Sequence, residues 1–131
     1  MSPGSRWWSL VVVFALAIPA MAEDPKADDS SFWMKRKLDL SQKIFAALTQ
    51  GDFETIDQSA RTMAKLNTIE KFIRGRNPEY RAQLEIFKFA NEELIRQADK
   101  ENIDGATLAF NQLTLSCVNC HKQIRAEAKG K

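Results

Sequence analysis

Three residues that can do covalent or metal chemistry lie within five positions near the end of the 131-residue chain. Cys117, Cys120 and His121 belong to the segment SCVNCHKQIR, residues 116–125, and the sequence has no other cysteine or histidine. A thiolate is a nucleophile and a metal ligand, and imidazole is the commonest metal ligand in proteins. The clustering therefore predicts a single site that uses all three side chains.

The C-x-x-C-H spacing distinguishes between the kinds of site that these residues could form. A thioredoxin-type dithiol belongs beside a βαβ pattern, which the sequence lacks, and a structural zinc site needs four ligands where this chain supplies at most three. A disulfide across two intervening helical residues has poor geometry. C-x-x-C-H is the attachment signature of c-type haem (heme), in which both thiols bond to haem vinyl groups and the adjacent imidazole ligates the iron. We expect one covalent haem c with its iron on His121; a free dithiol or a chance match is the alternative.

The first 22 residues have the layout of a secretory signal peptide. Arg6 precedes the apolar run WWSLVVVFALAIP at residues 7–19, and AMA at residues 20–22 offers small residues for cleavage after Ala22. This run is shorter than the roughly 20 apolar residues of a membrane helix, so an uncleaved anchor is the less favoured alternative. We expect the processed protein to be periplasmic, without a membrane anchor, and to begin with a flexible polar leader over residues 23–30.

Composition and charge limit the partners of the remaining chain. The sequence is 44% hydrophobic and 27% charged, a mixture typical of a single globular domain. Removing the signal peptide takes away one of the 19 basic residues, Arg6, and none of the 17 acidic residues, which leaves a net charge near +1. Because no basic block with interleaved aromatic residues is present, we expect no nucleic-acid partner.

From residue 31 onward, apolar residues recur at intervals of three and four, which predicts helices. Breaking residues divide this region into four segments: Gly51, Gly75, Pro78 and Gly105. We predict helices over residues 31–50, 53–73, 78–100 and 105–126, with Asp52 and Asp104 as caps and Pro78 at the start of the third. Short loops then predict an all-α fold, an up-down-up-down antiparallel four-helix bundle over residues 31–131. Three helices with a frayed second segment is the alternative.

The first helix should face the fourth at the height of the motif. In the predicted bundle these helices are antiparallel, and His121 lies about 8 Å from the end of the fourth helix at 1.5 Å per residue. Met34 and Leu38 share a face at that height, and either could point at the iron. A methionine thioether as sixth ligand suits electron transfer, whereas a leucine leaves an open position for nitric oxide or carbon monoxide. Core packing is the alternative for Met34 and is our expectation for Met63.

The remaining predictions for the first helix concern its buried stripe and its charges. We predict that its inward stripe is Met34, Leu38, Ser41, Phe45 and Leu48, from their 4-3-4-3 spacing. Haem propionates need basic partners or water, and Arg125 lies four residues after His121 on the same side of the fourth helix. For Lys35 and Lys37, near the same end, a solvated position is the default. Tyr80 begins level with the first helix and either edges the pocket or packs in the core.

The segment CVNCHKQIR resembles the class II cytochromes c, the cytochrome c′ family, whose C-x-x-C-H-x-x-x-R lies on the last helix of an exported four-helix chain. The resemblance covers residues 31–126. It implies that Cys117 and Cys120 bind haem, that His121 ligates iron and that Arg125 lies beside the proximal face of the haem. Members divide into five-coordinate proteins with an apolar distal residue and low-spin relatives with a helix-one methionine, a placement similar to that of Met34. The family also includes homodimers formed through the first two helices.

Together these patterns predict an electron-transport cytochrome that is not an enzyme and whose partners are redox proteins. The main alternative is a five-coordinate protein that binds nitric oxide or carbon monoxide at a vacant site beside Leu38. A peroxidase is less favoured, because such enzymes usually need a distal acid–base group and the sequence has no second histidine. A helical binding module without haem is the remaining possibility.

Overall fold

The computed structural model describes residues 25–130 of the chain, with side-chain surroundings from residue 32 onward. The predicted signal peptide and the first two residues of the leader lie outside this range. Four helices account for the regular structure within it: α1 Pro25–Gln50, α2 Phe53–Arg74, α3 Pro78–Asp99 and α4 Ile103–Lys129. The predicted all-α class with four helices is confirmed for the described residues. None of these four helices is long and apolar enough to cross a membrane.

Local signals explain the turn between α1 and α2 and the start of α3. Gly51 adopts a φ of +67°, a left-handed conformation that glycine reaches without steric strain. Asp52 caps α2, as predicted, by accepting a hydrogen bond from the Thr55 backbone N–H at 3.0 Å. Pro78 occupies the first turn of α3, also as predicted.

Two helix starts differ from the prediction. α1 begins at Pro25, six residues before the predicted start, so its first turns run through residues assigned to the leader. α4 begins at Ile103 because its cap is Asn102 and not Asp104. The Asn102 side-chain oxygen accepts from the Gly105 backbone N–H at 3.1 Å, which satisfies one of the free amides of the first turn.

Consecutive helices are antiparallel, and buried asparagines fix the register between α2 and α3. Asn91 Nδ2 donates to the Ala60 carbonyl at 2.8 Å, and Asn67 Nδ2 donates to the Leu84 carbonyl at 3.0 Å. Residue numbers therefore rise along α2 as they fall along α3. This arrangement is consistent with the predicted four-helix bundle.

The first and last helices meet at one end of the molecule. Each helix packs closely on the next one along the chain, whereas α1 and α4 approach each other at few residues. Phe45 of α1 and Phe110 of α4 stack with their ring centroids 6.3 Å apart. Phe45 lies near the end of α1 and Phe110 near the start of α4, so these two helices are also antiparallel.

The apolar core extends from this end to the level of the cysteines. Met63 is fully buried in it, as predicted. On α4 the core ends at Leu113, with Cys117 packed against its edge, and on α1 it ends at Leu40. The buried apolar residues that form it are Leu40, Ile44, Ala47, Ile56, Ala60, Met63, Phe87, Ala90, Leu94, Ala98, Ala106, Ala109 and Leu113.

The buried stripe of α1 lies one residue away from the predicted stripe. The buried residues of α1 are Lys37, Leu40, Ile44 and Ala47, whereas Leu38 and Phe45 are 57% and 61% exposed. The prediction of an inward Leu38 and Phe45 was therefore wrong. Both stripes have the same spacing, and the buried one can include a lysine because α2 supplies a carboxylate to it.

Replacing Ile44 with Ala should lower the free energy of unfolding by about 2–5 kcal/mol, because the change removes a fully buried side chain and leaves a cavity. Replacing the larger neighbour Phe45 with Ala should cost less than about 1.5 kcal/mol, because that ring is mostly exposed and contributes mainly its stacked pair. Urea unfolding followed by circular dichroism measures both values. If Phe45→Ala lowered the free energy of unfolding more than Ile44→Ala, the stripe predicted from the sequence would be the buried one after all.

Candidate functional site

The cysteines lie on the inward side of α4, at the point where that side leaves the apolar core. Cys117 and Cys120 are free thiols, and each is part-buried. Burial raises the pKa of the Cys117 thiol, against a smaller opposing effect of Lys37. Burial likewise raises the pKa of Cys120, and the charge of Glu70 raises it further. Both thiols are therefore uncharged at neutral pH.

His121 and Arg125 continue the row that Cys117 begins. The three residues are spaced four apart, so they lie one above another on α4. Unlike the cysteines, His121 and Arg125 are exposed. The structure thus brings the motif onto one side of α4, with the thiols nearer the core and the imidazole nearer solvent.

This side of α4 is directed towards α1. Phe110 precedes Cys117 by seven residues and His121 by eleven, and both spacings keep residues on one face of a helix. Because Phe110 stacks on Phe45 of α1, the face that it shares with the motif is the one that faces α1.

The facing row on α1 contains both residues considered as distal groups. Leu38 and Met34 precede Phe45 by seven and eleven residues, so they lie on the same face of α1 as the ring that stacks on Phe110. Equal steps from the ring pair along the two antiparallel helices place Met34 level with His121, about 16 Å from the rings, and Leu38 level with Cys117. Met34 is part-buried.

We call these two facing rows the open edge: Met34 and Leu38 on α1, with Cys117, His121 and Ile124 on α4. The name reflects the exposure of its apolar members, since Leu38 and Ile124 are each more than two-fifths exposed. Among the described residues, no three His, Cys, Asp or Glu side chains converge where they could hold a metal ion.

A buried polar cluster replaces the apolar core behind the cysteines. Lys37 Nζ donates to Glu70 Oε2 at 2.5 Å, and the Glu70 side chain is only 1% exposed. The Tyr80 hydroxyl donates to the other Glu70 oxygen. Asn67 accepts a long hydrogen bond from Lys37 at 3.5 Å, and the ammonium lies 4.4 Å from the centroid of the Phe87 ring. We call Lys37, Asn67, Glu70 and Tyr80 the Lys37–Glu70 cluster.

The cluster corrects the expectation for Lys37 and shows what Tyr80 contacts. The solvated position predicted for Lys37 was wrong, because this ammonium is buried against Glu70, whereas Lys35 is exposed. Tyr80 is part-buried and bonded into the cluster. Burial raises the pKa of Tyr80, and the hydrogen bond to Glu70 adds to the effect, so the phenol stays protonated and remains a donor.

Sequence reasoning missed Asn67 and Glu70, although a signal for them exists. The buried apolar residues of α2 include Ile56, Ala60 and Met63, and their spacing of four and three continues to Asn67 and Glu70. A polar residue that continues a buried stripe indicates a buried partner on another helix. Here that partner is on α1.

A groove lies on another side of α4. It has a volume of about 800 Å³, runs between α3 and α4, and has an apolar lining that includes Ile86, Phe89, Leu108 and Leu115. It is lined by no thiol and no imidazole. The groove is therefore separate from the open edge.

Comparisons of the chain with protein-family models, with curated proteins and with solved structures found no match. The chemistry of the site consequently rests on its own residues. These are two uncharged thiols, an exposed imidazole on the same side of α4, and a thioether level with that imidazole on α1.

Replacing Glu70 with Gln should lower the free energy of unfolding by about 3–5 kcal/mol, because the Lys37 ammonium would stay buried without its counter-ion. The matched control is Glu85→Gln, which breaks the more exposed ion pair of Glu85 with Lys71 and should change the stability much less, because water screens that pair. Urea unfolding of both variants measures the difference. Equal losses would show that the Lys37–Glu70 pair behaves as a surface pair.

Proposed function

We propose that this protein is an exported c-type cytochrome that binds one covalent haem at the open edge and transfers electrons. The observation that supports it most directly is the stack of Phe45 on Phe110, from which equal steps along α1 and α4 bring Met34 level with His121. This function is the one that the resemblance of CVNCHKQIR to the class II cytochromes c implies.

The residues of the open edge, together with Cys120 beside them on α4, fit a haem group. Cys117 and Cys120 are free thiols three residues apart on one side of a helix, as two thioether bonds to the vinyl groups of one macrocycle require. His121 offers an imidazole nitrogen from α4, and Met34 offers a sulfur from α1. Leu38 and Ile124 are exposed apolar side chains that a macrocycle would remove from water.

When bound, the haem iron supplies a one-electron change between ferrous and ferric states. The chain would hold the group through Cys117 and Cys120, and His121 and Met34 would bind the iron. A thioether ligand raises the reduction potential relative to a second imidazole. The helices that carry Met34 and His121 are each supported by another helix, because α1 packs on α2 and α4 packs on α3.

Two further features complete the proposal. Arg125 is an exposed cation one turn beyond His121, and in this proposal it pairs with a haem propionate. The partners are redox proteins, the protein is not itself an enzyme, and it acts in the periplasm after export directed by residues 1–22. The alternative function is a five-coordinate protein that binds nitric oxide or carbon monoxide beside Leu38.

Expression of the full chain in a bacterium that attaches haem c should give a red protein, heavier than the processed polypeptide by one haem, about 616 Da. Intact-mass spectrometry and an absorption spectrum test this. Cys117→Ser combined with Cys120→Ser should lose the added mass, whereas the control Asn119→Ser, between them, should keep it. A colourless wild-type protein with the mass of the bare polypeptide would contradict the proposal.

Met34→Leu should remove the sulfur ligand, so the ferric protein loses its sulfur-to-iron charge-transfer band and its midpoint potential falls. The reduced variant should also bind carbon monoxide rapidly. The matched control Met63→Leu should keep the wild-type spectrum and potential, because Met63 is a core residue and leucine has a similar volume. Rapid carbon monoxide binding by the wild type, with an unchanged spectrum in Met34→Leu, would favour the gas-binding alternative.

A further inference from the structure

Charged side chains are segregated between the two halves of the helix bundle. Counted from residue 32 onward, the half with the motif comprises residues 32–38, 63–88 and 116–130 and contains twelve basic and four acidic side chains. The other half, residues 39–62 and 89–115, contains four basic and nine acidic side chains. The two halves thus carry net charges of about +8 and −5, which the nearly balanced charge of the sequence conceals.

An exposed apolar group lies within the basic half. Phe72, in the last turn of α2, is 91% exposed, and its neighbours Ile69 and Ile73 are 44% and 47% exposed. Arg76 and Arg81 line a shallow pocket of about 480 Å³ together with Phe72. We call Phe72, Arg76 and Arg81 the Phe72 patch. An apolar centre with a charged rim is the usual anatomy of a protein interface.

The Phe72 patch lies at the same end of the bundle as the motif. Gln123, two residues after His121, donates to Glu79 at 3.2 Å, which joins α4 to the first turn of α3. Arg76 is three residues before Glu79, in the turn between α2 and α3. A partner on the Phe72 patch would therefore approach the end of the molecule that carries the cysteines and the imidazole.

We propose that the Phe72 patch docks an acidic surface of a redox partner protein, with Phe72 at the centre and Arg76 and Arg81 at the rim. This inference rests on the proposed electron-transfer function. The basic half attracts an acidic partner and the acidic half repels it, so encounters occur with the motif end foremost.

The dimensions of the apolar group favour a protein over a membrane as the occupant. Its exposed apolar side chains come from a single stretch of α2, residues 69–73, whereas the inward residues of the same helix are buried in the core. A helix that binds a membrane surface uses a continuous apolar face along its length. A small apolar centre with a basic rim instead suits a transient contact with another protein.

Stopped-flow reduction of the ferric holoprotein by a reduced flavodoxin, used as an acidic protein probe, tests the proposal. The second-order rate constant should fall as salt is added. Arg76→Glu with Arg81→Glu should lower it at least tenfold at low salt, and Phe72→Ser should lower it severalfold at every salt concentration. The control Lys43→Glu with Lys100→Glu, which changes the net charge equally in the acidic half, should stay within twofold of wild type.

Each other outcome has a defined meaning. Equal slowing in both double variants would overturn the proposal, because net charge alone would then explain the rate. Loss of binding to anionic phospholipid vesicles in Arg76→Glu with Arg81→Glu, with no change towards flavodoxin, would identify a membrane surface instead. Salt-sensitive dimers in sedimentation, abolished by either double variant, would identify a second copy of the chain. Absence of a haem spectrum would contradict the proposed function itself, before any docking is measured.

Discussion

The buried ion pair between Lys37 and Glu70 is the interaction on which the geometry of the candidate site depends. A charge buried without its partner costs several kcal/mol, so α1 must present Lys37 to the Glu70 carboxylate of α2. That requirement fixes the rotation of α1 about its axis. With Lys37 inward, Leu38 and Phe45 lie to one side, where Phe45 meets Phe110 of α4. The row opposite the motif is therefore a consequence of a contact on the other side of α1.

The Lys37–Glu70 pair marks the part of the fold that could not be predicted from the sequence, the rotation of α1. The helices and most of their boundaries follow from local signals, such as the left-handed Gly51, the cap at Asp52 and the proline that opens α3. The rotation of α1 is different, because two adjacent stripes have the same spacing and the apolar one looks like the core. The residue that decides between them, Glu70, lies 33 positions away on another helix.

The candidate site divides in the same way. Cys117, Cys120 and His121 are recognisable because their chemistry depends on spacing within five residues, and the level of Met34 follows from antiparallel helices. The contacts of Tyr80 and Asn67 behind the cysteines join α1, α2 and α3, so no local pattern could reveal them. The basic end is hidden for a related reason, since its charges come from all four helices and add together only after folding.

The open edge also bears on how the molecule assembles. Close packing joins each helix to its neighbour along the chain, so most contacts are local in sequence and the contact order is low, a property of fast-folding proteins. Closure of α1 onto α4 is the exception, because it joins the two ends of the chain. A group bonded to α4 and ligated from α1 would join the first and last helices directly, so the four helices would be linked in a closed circle and not only in sequence.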